Sequence, residues 1–327
     1  MNRRIESIDY LRAFSALGIV LMHVLANGNF ELSGVVFNKI IPSFPDLVFL
    51  FMVISGFSMC CGYYKKITNN EISINNFYIK RFKRIWPYFA FLCSIYFILS
   101  PSLNTLYEVF ANLTLCFGFL PNANISVIGV GWFLGLVFVF YAIFPFYCFL
   151  IGTKKRAWLS FGVAIIFNLL CIIYFDVTRT NIVYSSMFFI AGGLIYQYMD
   201  EIITLLQKKK LLIITSLIVS LIGYYFLEMQ SIWMLLISIE LVIICVLNRG
   251  EVNSIVSFIS NISMEIYLCH MVIYRLIEKL HLIHICSNAL ISYIFSSSVV
   301  FIGAICFTIF SKRILNRIMY IVRKMKK

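Results

Sequence analysis

The sequence predicts an all-α, polytopic integral membrane bundle of about ten transmembrane helices with both termini in the cytoplasm. Three observations support this fold class. Hydrophobic residues make up 61% of the 327-residue chain and charged residues only 13%, about half of their share in a soluble domain. The mean hydropathy is +0.93. The apolar residues form continuous runs, and several reach the roughly 20 residues that a helix needs to cross a bilayer core.

The apolar runs give the order of the predicted helices. One further stretch, 104–120, carries Asn104, Glu108 and Asn112 on one helical stripe, which is typical of an interfacial or re-entrant helix. No long loop separates the runs, so we expect a single transmembrane domain over 1–327. The ten predicted spans are 8–27, 46–63, 85–100, 132–151, 157–175, 182–199, 211–227, 231–248, 259–279 and 289–311.

The distribution of charge predicts the orientation. With a cytoplasmic N-terminus, all but four of the 27 Lys and Arg residues fall on the inner side, which is a strong positive-inside bias. If 104–120 were a full span, every later loop would lie on the opposite side of the membrane, and the basic C-terminal tail would lie outside. The net charge of +13 therefore indicates topology and contact with membrane lipids, and not nucleic-acid binding. The four cations expected outside are Lys39, Arg179, Arg275 and Lys279.

The ten cysteines are scattered, and most lie inside the apolar runs. They form no C-x-x-C pair and no Cys/His spacing typical of zinc. Because small, polarizable thiols are common packing residues, we interpret the cysteines in that way. We predict no metal site.

The first helix carries the densest set of ionisable residues inside a predicted span. Arg12 and His23 are 11 residues apart, so they lie about 20° apart around the helix axis and about 16 Å apart along it. Asp9 precedes Arg12 by three residues and can pair with it on the same face. Ionisable side chains are costly inside a membrane, so each one is a candidate functional residue. An imidazole is suited to general-base catalysis, because its ordinary pKa lies near neutral pH. The alternative interpretations are an interfacial ion pair for Asp9 and Arg12, and a hydrogen-bonded structural histidine for His23.

A second basic cluster, KRFKR at 80–84, precedes an Ile-Trp-Pro sequence. Arg81 and Arg84 are three residues apart and share a helix face, where two guanidiniums can hold a phosphate. The alternative interpretation is a positive-inside signal with a Trp at the membrane interface.

A third set of polar residues lies in the predicted ninth helix and near it. Glu265 and His270 are five residues apart, about 140° around the helix, so they need not face one site. Glu240 is a further acid inside a predicted span. His281 and His284 come at or after the end of the ninth helix, and we expect them at the surface.

Five short segments, spread over most of the chain, match a known pattern in order. They are IDYLRAF at 8–14 followed by Met22 and His23, FLFMVISGF at 49–57, R-x-x-R as Arg81 and Arg84, GWFL at 131–134 with Tyr141 and Pro145, and a Ser followed by YLCH at 263–270. Together they resemble the membrane acyltransferase 3 family, whose members include O-acetyltransferases of bacterial surface polysaccharides. Each motif alone is weak, but five in order on an independently derived topology are specific.

The resemblance implies a membrane-bound O-acyltransferase that has no permanently bound cofactor and uses an acyl-CoA, chiefly acetyl-CoA, as donor. It implies that Arg81 and Arg84 bind the CoA phosphates at the inner face. His23 is expected to act as general base on an acceptor hydroxyl or as an acyl relay. Arg12 and Asp9 complete the expected catalytic set, with Asp9 holding Arg12 in place.

The implied acceptor is a hydroxyl of a cell-surface polysaccharide or of its lipid-linked sugar precursor, and the implied location is a bacterial inner or plasma membrane. Many family members have a Glu three residues after the Leu of the GWFL motif, whereas this chain has Val137. If that acid is needed, Glu108 or Glu265 are candidates to replace it. Four residues are expected to line the substrate: Ser55, Trp132, Glu265 and His270.

Two other classes of function remain open for a bundle with buried polar residues. A proton-coupled exporter of a polysaccharide or lipid-linked glycan would use buried ionisable groups for coupling. A non-catalytic subunit of a glycan-assembly complex would need none of them, yet Arg12, His23, Arg81 and Arg84 are all present. Loss of an acyltransferase leaves surface polymer without ester groups, whereas loss of an exporter traps polymer inside the cell.

Overall fold

The computed structural model describes residues 5–119, 128–248 and 250–325. Over these ranges the chain forms α-helices and no strand, so the all-α class is confirmed. The helices are α1 (Ile8–Asn27), α2 (Leu47–Met59), α3 (Lys65–Thr68), α4 (Ile74–Leu99), α5 (Leu103–Leu113), α6 (Trp132–Leu150), α7 (Lys154–Ile173), α8 (Ile182–Gln197), α9 (Met199–Leu206), α10 (Lys210–Phe226), α11 (Gln230–Leu247), α12 (Ser254–Asn261), α13 (Ser263–Lys279) and α14 (Ala289–Met325).

The lengths and composition of the helices indicate a multi-pass membrane protein. Seven helical segments of the described chain are long and apolar enough to cross a membrane. Two bent pairs, α8 with α9 at 69° and α12 with α13 at 71°, raise the number to nine if each pair is one span. The apolar helix α10 has only 17 residues. Ten spans and cytoplasmic termini therefore stay predictions.

The second predicted span, 46–63, is part of a longer helical run, Val36–Thr68. This run contains one 3-10 helical turn and two π-helical stretches beside the regular α2. Pro42 and Pro45 lie in the 3-10 part. A proline lacks the N–H that a regular helix uses, which explains why the irregular geometry falls there.

The third span begins earlier than predicted, because α4 starts at Ile74 and not at 85. The Ser73 hydroxyl caps this helix by accepting a hydrogen bond from the Asn76 N–H at 3.2 Å. Arg81 and Arg84 consequently lie inside the helix instead of in a preceding loop. Their side chains are therefore placed by a regular helix rather than by a flexible segment.

Part of the ambiguous stretch 104–120 forms α5. Its 11 residues extend about 16 Å, which is too short to cross a bilayer core. Leu103, Tyr107 and Phe110 are exposed on one face, whereas Asn112 is buried against the protein. The amphipathic character agrees with the interfacial interpretation.

The first helix lies at the centre of the packed helices. It packs against α2, α11, α12, α13 and α14. Asp9 and Ser15 on this helix are buried. These two polar side chains therefore face other helices instead of lipid, as expected for costly groups inside a membrane.

Two glycines let α2 and α8 approach closely. A Cβ atom at Gly56 would lie 2.2 Å from the Phe189 carbonyl oxygen, and one at Gly192 would lie 2.3 Å from the Val53 carbonyl oxygen. Small residues at a helix crossing allow this kind of backbone contact in membrane bundles. The crossing fixes the position of α2, whose later residue Ser58 contacts the first helix.

Candidate active site

The ion pair at the start of α1 is held by two other helices. Arg12 Nη1 donates to Asp9 Oδ1 at 3.0 Å, as expected from their spacing, and Arg12 Nη2 donates to Ser58 Oγ at 2.7 Å. The Ser260 hydroxyl of α12 donates to Asp9 Oδ1 at 2.7 Å. The Asp9 side chain is 1% exposed and the Arg12 side chain 26%. The carboxylate is thus enclosed, while the guanidinium stays partly accessible.

The break between α12 and α13 makes the Ser260 contact possible. A single straight helix was predicted over 259–279, but the chain bends by 71° after Asn261. The Ser263 hydroxyl donates to the Ser260 carbonyl oxygen at 2.9 Å and satisfies a backbone group at the break. The bend leaves Ser260 against the first helix.

Three guanidiniums face one cavity of about 300 Å³, which we call the inner cavity. Within the described part of the chain, neither Arg81 nor Arg84 has a carboxylate at ion-pair distance, whereas Arg12 has Asp9. A cavity with three guanidiniums and one carboxylate favours anions, and the planar fork of arginine matches phosphate. The polar residues that line this cavity include Arg12, Arg81, Arg84, Ser55, Ser58 and Tyr141.

Aromatic side chains orient Arg81. Its Nη2 donates to the Tyr63 hydroxyl at 2.6 Å, and its guanidinium lies 4.6 Å from the Tyr63 ring centre and 5.8 Å from that of Tyr141. Arg81 Nε is buried and has no hydrogen-bond partner among the described residues. Because cation–π contacts leave the edge of a guanidinium uncommitted, N–H donors remain for an anionic ligand.

A second cavity of about 260 Å³, the outer cavity, lies further along α1. Arg179, from the loop before α8, donates to Asp46 Oδ1 at 3.3 Å, and its guanidinium lies 5.7 Å from the Trp132 ring. The cavity combines an aromatic surface with a few hydrogen-bonding groups, the composition that small-molecule sites share. Its polar and aromatic lining residues are His23, Asn27, Trp132, Arg179, Tyr267 and Arg275.

His23 lines the outer cavity, whereas His270, which was expected to line the substrate, lies behind it and lines neither cavity. His23 on α1 and His270 on α13 have ring centres 5.0 Å apart. His270 is fully buried, and its Nδ1 lies 2.7 Å from the Tyr267 carbonyl oxygen. Because a carbonyl oxygen only accepts, Nδ1 carries the hydrogen. His270 Nε2 is buried without a hydrogen-bond partner in the described ranges, so this ring is fixed by one nitrogen only.

Tyr267 lies at the boundary of the inner cavity and the outer cavity and is the described residue that lines both. Its hydroxyl donates to the Val130 carbonyl oxygen at 2.7 Å, and its ring packs edge-on against Phe133 at 5.6 Å. Arg12 and His23 border the two cavities about 16 Å apart along one helix. The Tyr267 ring is therefore a candidate partition for a group that passes between these two residues.

Two predicted acids lie away from the cavities. Glu265 is not among the residues that line either one. The Glu265 side chain is 6% exposed and forms an ion pair with Lys312 of α14 at 2.5 Å. It therefore faces α14 and not the cavity that it was expected to line. Glu108 on α5 also lines neither cavity. Val137 does line the inner cavity, so an aliphatic side chain occupies the place where many family members have the acid.

Sequence reasoning missed several side chains that hold or divide the site. Ser58 follows Ser55 by three residues, and this spacing was a usable signal for a shared helix face. Tyr267 lies inside the YLCH segment, but nothing in the sequence marks it as a partition. Tyr63 and Ser260 carried no signal, because their contacts depend on how separate helices pack.

These observations define the class of protein: a multi-pass, all-helical membrane protein with two adjoining polar cavities beside its first helix. The chain belongs to the acyltransferase 3 family, because the family model described as an acyltransferase domain matches residues 5–311. The resemblance inferred from the five motifs is therefore confirmed. No curated protein and no solved structure matches the chain significantly.

Proposed function

We propose that this protein is an O-acyltransferase that moves an acetyl group from acetyl-CoA to a hydroxyl of a cell-surface polysaccharide or of its lipid-linked sugar precursor. Family membership supports the class of reaction. The observation that carries the division of roles is the pair of cavities along α1: three guanidiniums line the inner cavity, whereas the His23 imidazole and the Trp132 indole line only the outer cavity.

The inner cavity is the proposed donor site. Arg81 and Arg84 bind phosphates of the CoA moiety, and Arg12 supplies a third guanidinium at the same cavity. Charge-assisted and bidentate hydrogen bonds make arginine a strong phosphate ligand. The predicted orientation opens this cavity to the cytoplasm, where acyl-CoA is available. Asp9 and Ser58 position Arg12, since both hold its guanidinium directly.

The outer cavity is the proposed place of transfer. The flexible pantetheine arm carries the thioester the roughly 16 Å from Arg12 to His23. His23 takes the proton from the acceptor hydroxyl as that oxygen attacks the thioester carbonyl. The new C–O bond forms, the C–S bond breaks, and the CoA thiolate leaves and takes up the proton.

His23 as an acyl relay is the second route for the same reaction. A neutral imidazole nitrogen attacks the thioester carbonyl, the C–S bond breaks, and the thiolate leaves. The acceptor oxygen then attacks the acyl carbon, the C–N bond breaks to release neutral His23, and the hydroxyl proton goes to the thiolate. Both routes use His23 at the outer cavity with Trp132 and Asn27 beside the acceptor. His270 is a positioning residue in either route, because its ring is held by a backbone carbonyl next to His23.

Mass spectrometry of the surface glycan from cells with and without the protein tests this proposal. We expect deletion to leave glycan at the surface that is lighter by one acetyl group at each modified sugar. The same result is expected for a membrane-inserted His23→Ala variant. Unchanged glycan mass would contradict acyl transfer, and polymer retained inside the deletion strain would favour the exporter.

A further inference from the structure

A third cavity of about 410 Å³, the apolar groove, lies beside the outer cavity. It runs between the C-terminal half of α4, α13 and α14, and its walls are mostly aliphatic, including Leu92, Leu99 and Leu276. The groove and the outer cavity form one continuous surface, because they share lining residues. The shared residues are Gly129, Val130, Met271 and Arg275.

Two cations lie where an anionic head group would meet this surface. Arg275 lines both the groove and the outer cavity, and Lys279 follows it by one helical turn on α13. Arg275 Nη1 donates to the Tyr96 hydroxyl at 3.1 Å. Both basic side chains are exposed, and neither has a carboxylate at ion-pair distance in the described ranges. An apolar groove bordered by such cations complements a phosphate attached to a hydrocarbon chain.

The distribution of charge in the whole chain supports a ligand here. Cations are disfavoured on the predicted outer side of the membrane, where only four occur. Three of the four, Arg179, Arg275 and Lys279, line the outer cavity or the groove. The fourth, Lys39, donates to the Tyr225 carbonyl oxygen and lines neither. Three of the four cations predicted on this side therefore border one continuous surface.

We propose that the acceptor is a lipid-linked sugar phosphate, with its hydrocarbon chain in the apolar groove, its phosphate at Arg275 and Lys279, and its sugar in the outer cavity. This inference rests on the acyltransferase function proposed above and narrows its acceptor. Continuity of the two cavities favours this occupant over a structural phospholipid, because the group bound by Arg275 also borders the cavity of His23. The sugar hydroxyl reaches the transfer site from within the membrane plane.

Photocrosslinking of the full-length protein in lipid nanodiscs tests the inference. The probe is a polyprenyl phosphate with a diazirine in its hydrocarbon chain. We expect the label on the groove-lining residues of α4 and α13. Excess unlabelled polyprenyl phosphate should remove the label, whereas the same excess of phosphatidylglycerol or of polyprenol without phosphate should not. Arg275→Gln should weaken probe binding about tenfold, the effect of losing one charge-assisted hydrogen bond.

The chain offers matched control variants. Lys39→Gln removes the predicted outer cation that lies away from the groove and should leave the labelling unchanged. Leu276→Trp, at a lining residue with 53% exposure, should obstruct the groove and abolish labelling. Ile302→Trp, at a residue with 59% exposure in a separate apolar cleft beside α1, should not.

Two outcomes would overturn the inference. Phosphatidylglycerol that displaces the probe as well as polyprenyl phosphate does would show an anionic-lipid site only. Equal labelling of the wild type and the Arg275→Gln variant would show that the guanidinium does not bind the phosphate of the probe. The proposed function can fail separately from this inference. If the probe binds but deletion of the protein leaves glycan acetylation unchanged, acyl transfer alone is contradicted. If the Leu276→Trp variant acetylates the glycan fully, this inference alone is contradicted.

Discussion

The inner and outer cavities border the same helix and both are lined by arginines, yet they differ in the other side chains that line them. In the inner cavity, Arg81 is oriented by the Tyr63 hydroxyl and ring. In the outer cavity, Arg179 is paired with Asp46 and lies over Trp132. Both cavities present guanidiniums to a ligand, whereas only the outer cavity also presents an imidazole and an indole.

Under the proposed function, this difference assigns donor binding and acyl transfer to separate residues. A single compact site would hold the phosphate ligands and the base together. Here Arg12 and His23 lie about 16 Å apart along α1, and Tyr267 lies between the cavities that they border. Variants on either side of Tyr267 should consequently change different kinetic parameters, and the following variants test that separation.

The largest effect is expected from His23→Ala. Removal of a general base or relay nucleophile should lower the acetyl-transfer rate about 100-fold or more, with the protein still inserted in the membrane. The measurement is transfer from acetyl-CoA by purified protein in nanodiscs. His281→Asn is the matched control, because His281 lies in the loop after α13 with a φ of 55°, a conformation that Asn tolerates. Transfer at the wild-type rate by His23→Ala would remove His23 from the chemistry.

Arg81→Ala should act on the donor. Loss of one guanidinium from the inner cavity should raise the KM for acetyl-CoA about tenfold and change kcat little, because the interaction is made before transfer. Initial rates over a range of acetyl-CoA concentrations measure both parameters. Lys83→Ala removes a neighbouring exposed cation of the same helix that does not line the cavity, and it should leave KM unchanged. A KM for Arg81→Ala equal to that of the wild type is the contradicting result.

Tyr267 offers a test of the partition. Tyr267→Ala should join the two cavities, admit water to the thioester, and raise the ratio of acetyl-CoA hydrolysis to transfer. Tyr267→Phe keeps the ring, loses only the hydrogen bond to Val130, and should keep the ratio close to that of the wild type. Free thiol release compared with ester formation gives the ratio. The same ratio in both variants would mean that the ring does not separate the cavities.

The smallest effect is expected for Ser260→Ala. This change removes one donor from the buried Asp9 carboxylate but leaves the Arg12 partner, so we expect a loss of about 1 kcal/mol of stability. Thermal unfolding in detergent measures the loss. Ser257→Ala, on the same short helix but with no side-chain contact to Asp9 among the described hydrogen bonds, is the control. An equal loss of stability in both variants would show that the effect comes from helix propensity and not from the hydrogen bond to Asp9.

The sequence was sufficient for the membrane class, because long apolar runs have one physical explanation. It was less informative about helix ends. The Ser73 cap extended α4 by several turns, and the bend after Asn261 divided a predicted helix, although neither place has a proline or glycine to mark it. Local backbone hydrogen bonds decide such boundaries, and periodicity does not report them.

For the candidate site, the sequence predicted what lies on one helix and missed what lies between helices. The spacing of Asp9, Arg12 and His23 predicted one shared face, and the structure shows the Asp9–Arg12 pair. The angle between Glu265 and His270 could not show that His270 lies beside His23, since that proximity arises from the packing of α13 on α1. The partition by Tyr267 depends on tertiary packing in the same way.

The affinity of the His23→Ala variant for acetyl-CoA is the sharpest test of whether the two cavities divide donor binding from acyl transfer. If donor binding and transfer are separate, this variant binds acetyl-CoA as tightly as the wild type in a calorimetric titration and transfers no acetyl group. Arg81→Ala, titrated beside it, binds about tenfold more weakly. A His23→Ala protein that loses acetyl-CoA binding in step with transfer would contradict the account, because a single site would then hold both the donor phosphates and the catalytic base.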